Sequence, residues 1–530
     1  MKTEPSDQMP IDGTVAGESA GHGPSLNERV MRAWFRGLQF AQSTLATLFE
    51  PIARGVGGVA GAVWFSGLYV VGLAMWGYLL DWGNIPLVLH DWAEASSHRL
   101  AFLRDAVMTN QLPLHMSGGW ALRNVTDRFI SVPDTILSPQ VFLMRFMDVG
   151  TFAFVNALIL YSAGFAGLLL LARRFRLSPF VGGTLAVLFS LNGHITTHVV
   201  VGHAHWVAYY LLPYFVLLVF DLLETRADLS WVLRMGLLHL IIFLQGGYHL
   251  YVILLMFLGL LGLASRRLLR PVAGAAATAV LLSMGRVLPA ALNAADWDTE
   301  FLSGFVSVAQ LFEATLVIRR PVPGEVFTER PLSTLGWWEI DHYLGLVGLA
   351  FILVFGIAYW WQHREEQERL LPLVIPIFGL LFLSIGRVGK PLNMLGLPLI
   401  SSQRVATRLA IVPLVFLMCI AARNLQGHIR DSVRTAAGRA VYLGLLGLIF
   451  HDLWQHIKLW RVRHMYDLFP VREVDLTLDF VANHPDPPYE LALIIGWGVA
   501  LVTLGLLVVL VLLQRRRRDT ALSVGSSDKN

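Results

Sequence analysis

The sequence predicts an all-α polytopic membrane protein with about twelve transmembrane helices and long external loops. Of its 530 residues, 55% are hydrophobic and only 15% are charged, whereas a soluble domain carries about 25% charged residues. The apolar residues come in blocks of roughly 20, which is long enough for a helix to cross the ~30 Å hydrocarbon core. Continuous apolar blocks indicate helices, because lipid admits only helices and closed barrels.

Twelve apolar blocks are candidate spans. They are 61–80, 150–171, 179–193, 204–223, 232–245, 247–264, 272–293, 343–361, 371–386, 406–422, 440–454 and 491–513. With twelve crossings, the arginine-rich segments fall on one side, and excess Lys and Arg mark that side as cytoplasmic. Those segments are 29–36, 172–176, 265–270, 423–439 and 515–518. We therefore expect both termini to be cytoplasmic.

The regions outside the membrane have distinct compositions. Residues 1–27 are polar and predict a disordered cytoplasmic tail. Residues 57–513 form the predicted transmembrane domain, and a basic cytoplasmic tail, 514–530, follows it. Residues 28–56 predict an amphipathic interfacial helix, with a partner-docking helix as the alternative. Since the net charge of +4 reflects these basic loops, no nucleic-acid partner is expected. The single cysteine, Cys419, excludes a disulfide framework.

The long loops all fall on the face opposite the basic segments. They are 81–149, 294–342, 387–405 and 455–490. Channels and carriers usually keep their loops short, and the two matched halves of an internal-repeat transporter are not evident. Large loops held over one face of a helical bundle therefore favour chemistry or recognition at that face.

The first long loop opens with "HDWAEASSHRL", which places two carboxylates at the membrane–water boundary. Asp91 and Glu94 follow the first span directly. A partly desolvated carboxylate there suits a general base, because burial raises its basicity and an acceptor hydroxyl can reach it. In the structural alternative, Asp91 is the N-cap of the helix that follows.

Basic residues cluster before the tenth span, in "SSQRVATR" and just upstream. Arg404 and Arg408 are four residues apart, which puts them on one face if they share a helix. Arg387 and Lys390 lie nearby in sequence. Guanidinium groups bind phosphate oxygens in a bidentate manner, so we expect a phosphate site here. The alternative is that these side chains snorkel to lipid headgroups. Arg286 is a weaker candidate for the same role.

Four histidines fall within twelve positions in "GHITTHVVVGHAH". His194 and His198 are spaced i, i+4, which is compatible with one metal ion, but no further ligand motif accompanies them. We therefore predict no metal. The alternatives are a polar cavity lining, favoured for His194, His198 and His203, and satisfied polar residues at a helix end, favoured for His205.

The third group of polar candidates lies in "GWWEIDHYLGLVGL". Glu339 and His342 are three residues apart and could line the acceptor side of a cavity. Trp337 and Trp338 could contact a sugar, but tryptophans at a membrane boundary also form aromatic belts.

The order of these features resembles the GT-C superfamily of integral membrane glycosyltransferases, which use polyprenyl-phosphate-linked sugars. It is most similar to the bacterial branch described as YfhO-like. The matching segments are "HDWAEASSHRL", "QLPLHMSGGW", "LNGHITTH", "GHAHWVAYYLLPYF", "LQGGYHLYV", "GWWEIDHYLGLVGL" and "LPLISSQRVATRLAIVPL". Together they cover about 85–485. Many relatives have an adjacent acidic pair in the first loop, whereas here His90 precedes Asp91 and the next acid is Glu94.

The resemblance implies an inverting glycosyl transfer at the external face of a bacterial inner (plasma) membrane. Asp91 would be the catalytic base with Glu94 as its substitute, and the basic cluster would hold the donor phosphate. The implied partners are a polyprenyl-phosphate-sugar donor, a glycan, lipid or protein acceptor, and membrane lipids. No nucleotide-binding motif is present in the sequence, and no cofactor is expected. The alternatives are a transporter or flippase of lipid-linked glycans, and a non-catalytic subunit of a membrane complex.

Overall fold

The computed structural model describes residues 26–52, 58–224, 227–297, 300–319, 336–396, 403–433, 435–477 and 479–527. These residues form helices and loops, with isolated β-bridges and no strand among them. The helices are α1 (Leu26–Phe49), α2 (Gly58–Leu79), α3 (Ser97–Thr109), α4 (Val149–Arg174), α5 (Pro179–Leu191), α6 (Gly193–Val200), α7 (Ala204–Glu224), α8 (Leu229–Leu244), α9 (Tyr248–Ala264), α10 (Arg266–Leu282), α11 (Met284–Ala291), α12 (Val308–Leu316), α13 (Gly345–Gln362), α14 (Val374–Leu383), α15 (Gly386–Asn393), α16 (Ala406–Ser432), α17 (Ala436–Leu459) and α18 (Pro487–Ser527).

The protein is a helical membrane protein, as predicted. Among the described residues, seven helices are long and apolar enough to cross a membrane, namely α2, α4, α7, α13, α16, α17 and α18. An eighth span results if α10 and α11, bent by 70°, are counted together. Every predicted span coincides with a helix, but α5, α8, α9 and α14 have only 10 to 17 residues. Because a full crossing takes about 20 residues, the predicted count of twelve stays a prediction.

Polar side chains mark where the helices near the candidate site begin. The Asp148 carboxylate accepts from the Thr151 amide at 2.8 Å and caps α4. Ser178 caps α5, with Pro179 at the first helical position. Asn192 ends α5 and caps α6, accepting from the Ile195 amide. These caps satisfy amides that a helix leaves unpaired, and the break at Asn192 separates α5 from the histidine-rich segment.

The bent pair α10–α11 packs closely against the last helix. A Cβ added at Gly496 would lie 2.4 Å from the Met284 carbonyl oxygen, and one added at Gly285 would lie 2.4 Å from Trp497. The α11 and α18 backbones can approach this closely only because both positions lack a side chain.

The helix ends predicted to be cytoplasmic contact one another. Arg174 Nη2 at the end of α4 donates to Glu224 Oε2 at the end of α7 at 2.5 Å. Arg423 of α16 donates to the other oxygen of the same carboxylate at 3.1 Å. The Ser178 amide donates to Gln426 Oε1 at 2.6 Å. The alternation of spans along the chain thus groups these ends on one face.

The four predicted external loops also meet, and their described residues are called the loop cap below. The Arg472 amide donates to the Val88 carbonyl at 2.9 Å, which joins the last loop to the first. The Leu302 amide donates to the Arg404 carbonyl at 2.9 Å, which joins the second loop to the third. The loop cap lies over the opposite ends of the helices from the Arg174–Glu224–Arg423 cluster.

The described residues near both ends of the chain are helical. Within the predicted interfacial segment 28–56, residues 28–49 belong to α1, and 53–56 lie outside the described residues. The end of α1 packs on α5, where the rings of Phe49 and Phe180 stack with their centroids 4.5 Å apart. The predicted disordered tail, 1–27, lies outside the described residues apart from its last two, which begin α1. The predicted basic tail, 514–530, continues α18 up to Ser527.

Candidate functional site

A polar cavity of about 590 Å³ lies between the loop cap and the helix ends next to it. Its walls come from the first loop, the turn between α6 and α7, the starts of α9 and α16, and the last loop. The ionisable side chains that line it are Asp91, Glu94, Arg99, Arg123, Asp134, His203, His205, His249, Arg408, Arg472 and Glu473. Binding and active sites are concave and contain convergent polar groups that orient the ligand, and this cavity has both features.

Asp91 is positioned by an interlock between the first loop and the α6–α7 turn. Trp92 Nε1 donates to the Val200 carbonyl at 2.9 Å, and Ser96 Oγ donates to the Gly202 carbonyl at 2.5 Å. Gly202 has φ +109°, and a Cβ there would lie 2.3 Å from the Trp92 nitrogen and 2.7 Å from the Asp91 carbonyl carbon. Only glycine therefore permits this approach.

The Asp91 carboxylate pairs with His203. His203 Nε2 lies 2.5 Å from Asp91 Oδ2, and the Asp91 side chain is 30% exposed. The N-cap interpretation is wrong, since Asp91 makes no side-chain capping bond to the helical turn Trp92–Ser96. The expected rise in basicity is also corrected. Burial by itself raises the pKa of Asp91, but the charge and hydrogen bond of His203 outweigh burial and hold the pKa well below its ordinary value.

A second carboxylate, Glu339, sits behind His203 and connects it to Arg408. Arg408 Nε donates to Glu339 Oε2 at 2.8 Å, and its Nη2 donates to Oε1 at 2.5 Å. His198 Nε2 lies 3.3 Å from Oε2, and His203 Nε2 lies 3.9 Å from Oε1. Burial by itself raises the pKa of Glu339, but Arg408 and His198 outweigh burial and hold the pKa well below its ordinary value.

These contacts form a chain of ionisable side chains along the cavity wall. The order is Asp91, His203, Glu339, Arg408, and both terminal members line the cavity. His198, His203 and Glu339 also offer ligand atoms within 4.8 Å of one another, so these three residues could hold a metal ion. The arrangement places an ionised carboxylate, Asp91, and a guanidinium, Arg408, on the wall of one cavity.

Asp134 forms a further acidic centre on the cavity wall. Its carboxylate lies 3.0 Å from Arg99 Nη1 and 3.7 Å from Arg123 Nη2. Burial raises the pKa of Asp134, but the two arginines outweigh burial, and the pKa lies well below its ordinary value. Asp134 therefore remains a carboxylate and holds Arg99 and Arg123 at the cavity.

The five predicted lining residues do not share one surface. His203 lines the cavity, whereas His194, His198, Glu339 and His342 lie buried behind it, outside the described lining. The His194 ring is 4.7 Å from that of Trp206 and 4.9 Å from that of His342. His194 and His198 miss the cavity because the face of α6 that carries them packs against Glu339 and the neighbouring rings.

The predicted phosphate-binding residues also separate. Helix α16 begins only at Ala406, so Arg404 and Arg408 do not share a helical face. Arg404 donates instead to the Glu300 carbonyl at 3.0 Å. Arg387 and Lys390 are exposed on α15, outside the described cavity lining. Of the four, only Arg408 faces the cavity.

The remaining sequence candidates have clear partners. Glu94 lines the cavity and pairs with Arg472, whose Nη2 lies 2.6 Å from Glu94 Oε1. Arg286 is buried. One of its nitrogens donates to the carbonyls of Val132, Pro133 and Thr135 at 2.9 to 3.2 Å, which favours a structural role over phosphate binding.

Several wall residues carry no signal in the sequence. Arg99 and His249 lie in "HDWAEASSHRL" and "LQGGYHLYV", two of the segments that resemble the GT-C superfamily. Arg123, Asp134 and Glu473 lie in polar loop segments without a recognisable motif. Within the described part of the chain, Arg99 Nη2, His205 Nε2 and His249 Nδ1 are buried without a hydrogen-bond partner. Buried polar atoms are normally satisfied, so the cavity wall offers these nitrogens as hydrogen-bonding partners to water or to a polar ligand.

Comparison of the chain with protein-family models, with curated proteins and with solved structures gives no match.

Proposed function

We propose that the protein is a membrane-embedded, inverting glycosyltransferase of GT-C type. It would move a sugar from a polyprenyl-phosphate donor to an acceptor hydroxyl at the external face of a bacterial inner membrane. Asp91 would be the general base. The observation that carries the proposal is the placement of an ionised, partly exposed aspartate in one polar cavity with Arg99, Arg123 and Arg408.

The base step follows from the state of Asp91. The acceptor oxygen bonds to the anomeric carbon as the bond from that carbon to the phosphate oxygen breaks on the opposite side. The hydroxyl proton becomes acidic as the new bond forms, so even a weakly basic carboxylate can accept it late in the step. His203 holds one carboxylate oxygen and orients the other, and ionisation at neutral pH keeps Asp91 ready to accept.

The leaving group is a polyprenyl phosphate that gains negative charge. Arg408 stands behind the Asp91–His203 pair, and Arg99 and Arg123 lie on the same cavity wall. Planar guanidinium groups match phosphate oxygens, and stabilisation of the developing charge contributes strongly to catalysis. Arg123 suits this role best, because its side chain is 54% exposed and can move toward a ligand.

Lipid access would come from the membrane around the bundle. In this proposal about twelve spans, including the short helices α5, α8, α9 and α14, surround the donor, whose prenyl tail lies between helices. Helices of 10 to 17 residues would be accommodated by local thinning of the bilayer.

The test is sugar transfer by the full-length protein in proteoliposomes. A panel of polyprenyl-phosphate hexoses is supplied together with bacterial envelope acceptors, and release of polyprenyl phosphate is measured. The variant is Asp91→Asn and the control is Asp452→Asn. Asp452 is also paired with a histidine, His451 at 3.3 Å, and is 29% exposed, but it is not among the described cavity residues.

We expect Asp91→Asn to lower release by about 10²- to 10⁴-fold, the usual contribution of a general base. Asp452→Asn should remain within about twofold of wild type. Equal release of polyprenyl phosphate by wild type and Asp91→Asn would contradict the proposal that the protein is a glycosyltransferase with Asp91 as its base. Donor movement across the bilayer that persists in Asp91→Asn would favour the flippase. A stable stoichiometric complex, indifferent to Asp91, would favour the non-catalytic subunit.

A further inference from the structure

A second cluster of metal-ligating side chains lies in the loop cap, outside the lining of the cavity. His115 and Asp127 come from the first loop, and His484 comes from the last. One ligand atom from each residue lies within 4.8 Å of the others. None of these residues takes part in the proposed glycosyl transfer.

His115 is the strongest indication of a ligand at this place. Its side chain is fully buried, and within the described residues neither ring nitrogen makes a hydrogen bond. Its Nε2 lies 3.5 Å from Asp486 Oδ2. Its ring stacks on that of His484, with centroids 3.9 Å apart. A buried imidazole without a hydrogen bond calls for an explanation, and a bound cation would provide one.

Carboxylates complete the cluster on two sides. His484 Nε2 lies 2.8 Å from Asp127 Oδ2. Asp486 is held by Arg128, which donates to its two oxygens at 2.6 and 3.0 Å. Tetrahedral zinc with ligands at about 2.0–2.2 Å separates them by roughly 3.3 Å. One pair of ligand atoms is 2.8 Å apart and all of them lie within 4.8 Å of one another, so modest side-chain rotations would reach this spacing.

We propose that His115, Asp127 and His484 bind a zinc ion, with Asp486 or water as the fourth ligand. Two imidazoles with carboxylates suit zinc, whereas calcium and magnesium prefer oxygen ligands alone. The exposed His484 and Asp127 give the ion access from solvent, their side chains being 50% and 48% exposed.

The ion would fasten the last loop to the first. Backbone contacts already bring the two together, since the Ala482 amide donates to the His115 carbonyl at 3.0 Å and the His115 amide donates to Asn483 Oδ1 at 2.9 Å. The same last loop carries Arg472 and Glu473 to the cavity. Zinc would therefore stabilise the loop cap, and its role is independent of the reaction.

The test uses the full-length protein in detergent, stripped of metal with EDTA. Zinc chloride is titrated by calorimetry, bound metal is measured by elemental mass spectrometry, and melting is followed with and without zinc. We expect one zinc per chain, a melting temperature that rises with zinc, and no such rise with magnesium or calcium. His484→Gln and Asp127→Asn should each bind zinc at least tenfold more weakly. His464→Gln, an exposed histidine on the same loop, should bind as wild type does.

Two results would overturn the site. In the first, wild type binds no more zinc than the double variant His484→Gln/Asp127→Asn. In the second, zinc is lost in His203→Gln and retained in that double variant, which assigns the ion to the His198–His203–Glu339 cluster instead. His115 is left unchanged because its complete burial makes a substitution there a risk to folding.

Discussion

Glu339 and Arg408 form a nearly buried ion pair, so the charge of each compensates the charge of the other. Both side chains are nearly buried, at 4% and 11% exposure, and they form two hydrogen bonds. Removing one partner of such a pair leaves a buried charge without compensation, at a cost of about 3–5 kcal/mol. We therefore expect Glu339→Gln to lower the unfolding free energy by that amount, seen as a lower melting temperature in detergent.

The double variant Glu339→Gln/Arg408→Gln supplies the control. It removes both charges, so its melting temperature should lie above that of Glu339→Gln alone. A double variant as unstable as the sum of the two single variants would show that the pair is not energetically coupled.

Asp134 gives the loop cap a dependence on acid. Burial raises its pKa, but Arg99 and Arg123 outweigh burial and lower the folded-state pKa below the unfolded value of about 3.9. Its stabilising contribution is therefore present above pH ~4 and is lost as the pH falls below that value. Melting temperatures measured from pH 6 to pH 3 should fall more steeply for wild type than for Asp134→Asn. Parallel curves would contradict the pairing.

At the scale of elements, the α6–α7 turn decides where Asp91 stands. Gly202→Ala would put a Cβ 2.3 Å from the Trp92 nitrogen at a positive φ. Strain of this kind costs about 1–3 kcal/mol, and the Asp91 backbone would shift to relieve it. We expect a lower melting temperature together with loss of transfer. Gly259→Ala is the control, because a Cβ there meets nothing within 4 Å. Normal transfer by Gly202→Ala would contradict the close contact between the first loop and the α6–α7 turn.

The packing of α11 against α18 makes a separate prediction. Gly496→Leu would drive a side chain into the Met284 carbonyl, whereas Gly498→Leu, two residues on, would meet open space. The first variant should melt several degrees lower, and the second should melt as wild type does. Equal melting of the two would mean that the helices do not approach as closely as described.

Elements were more predictable from sequence than the site. Apolar blocks indicate where helices lie, because burial in lipid demands them, and each of the twelve blocks contains helix. Their ends and breaks depend on single side chains such as Asn192, which divides α5 from α6. The pairing of Arg404 with Arg408 failed for this reason, since the helix starts between them.

The candidate site was predictable only in part. Asp91, Glu94, His203 and Arg408 meet in one cavity, as expected from their loops facing the same side. Asp134 was missed because its importance comes from Arg99 and Arg123, and no local pattern announces a contact between distant residues. The lowered pKa of Asp91 likewise depends on His203, which is 112 positions away.

At the scale of the whole molecule, the predicted orientation can be tested by cysteine labelling. Cys419 is buried and is the sole cysteine, so a Cys419→Ala background leaves no native thiol. In whole cells, a membrane-impermeant maleimide should label His464→Cys in the last loop. It should label Glu366→Cys, exposed between α13 and α14, only after the membrane is opened. The reverse pattern would invert the topology.

The contact between Arg472 and Glu94 has a consequence for biosynthesis. About 380 residues separate these two walls of the cavity, so at roughly 5–20 residues per second the ribosome needs about 20–80 s between them. During that interval the first loop lacks the last loop, which supplies the opposite wall of the cavity. The nascent protein should stay inert, and Glu94 should stay accessible to reagents, until the last loop has been delivered and α18 has entered the bilayer.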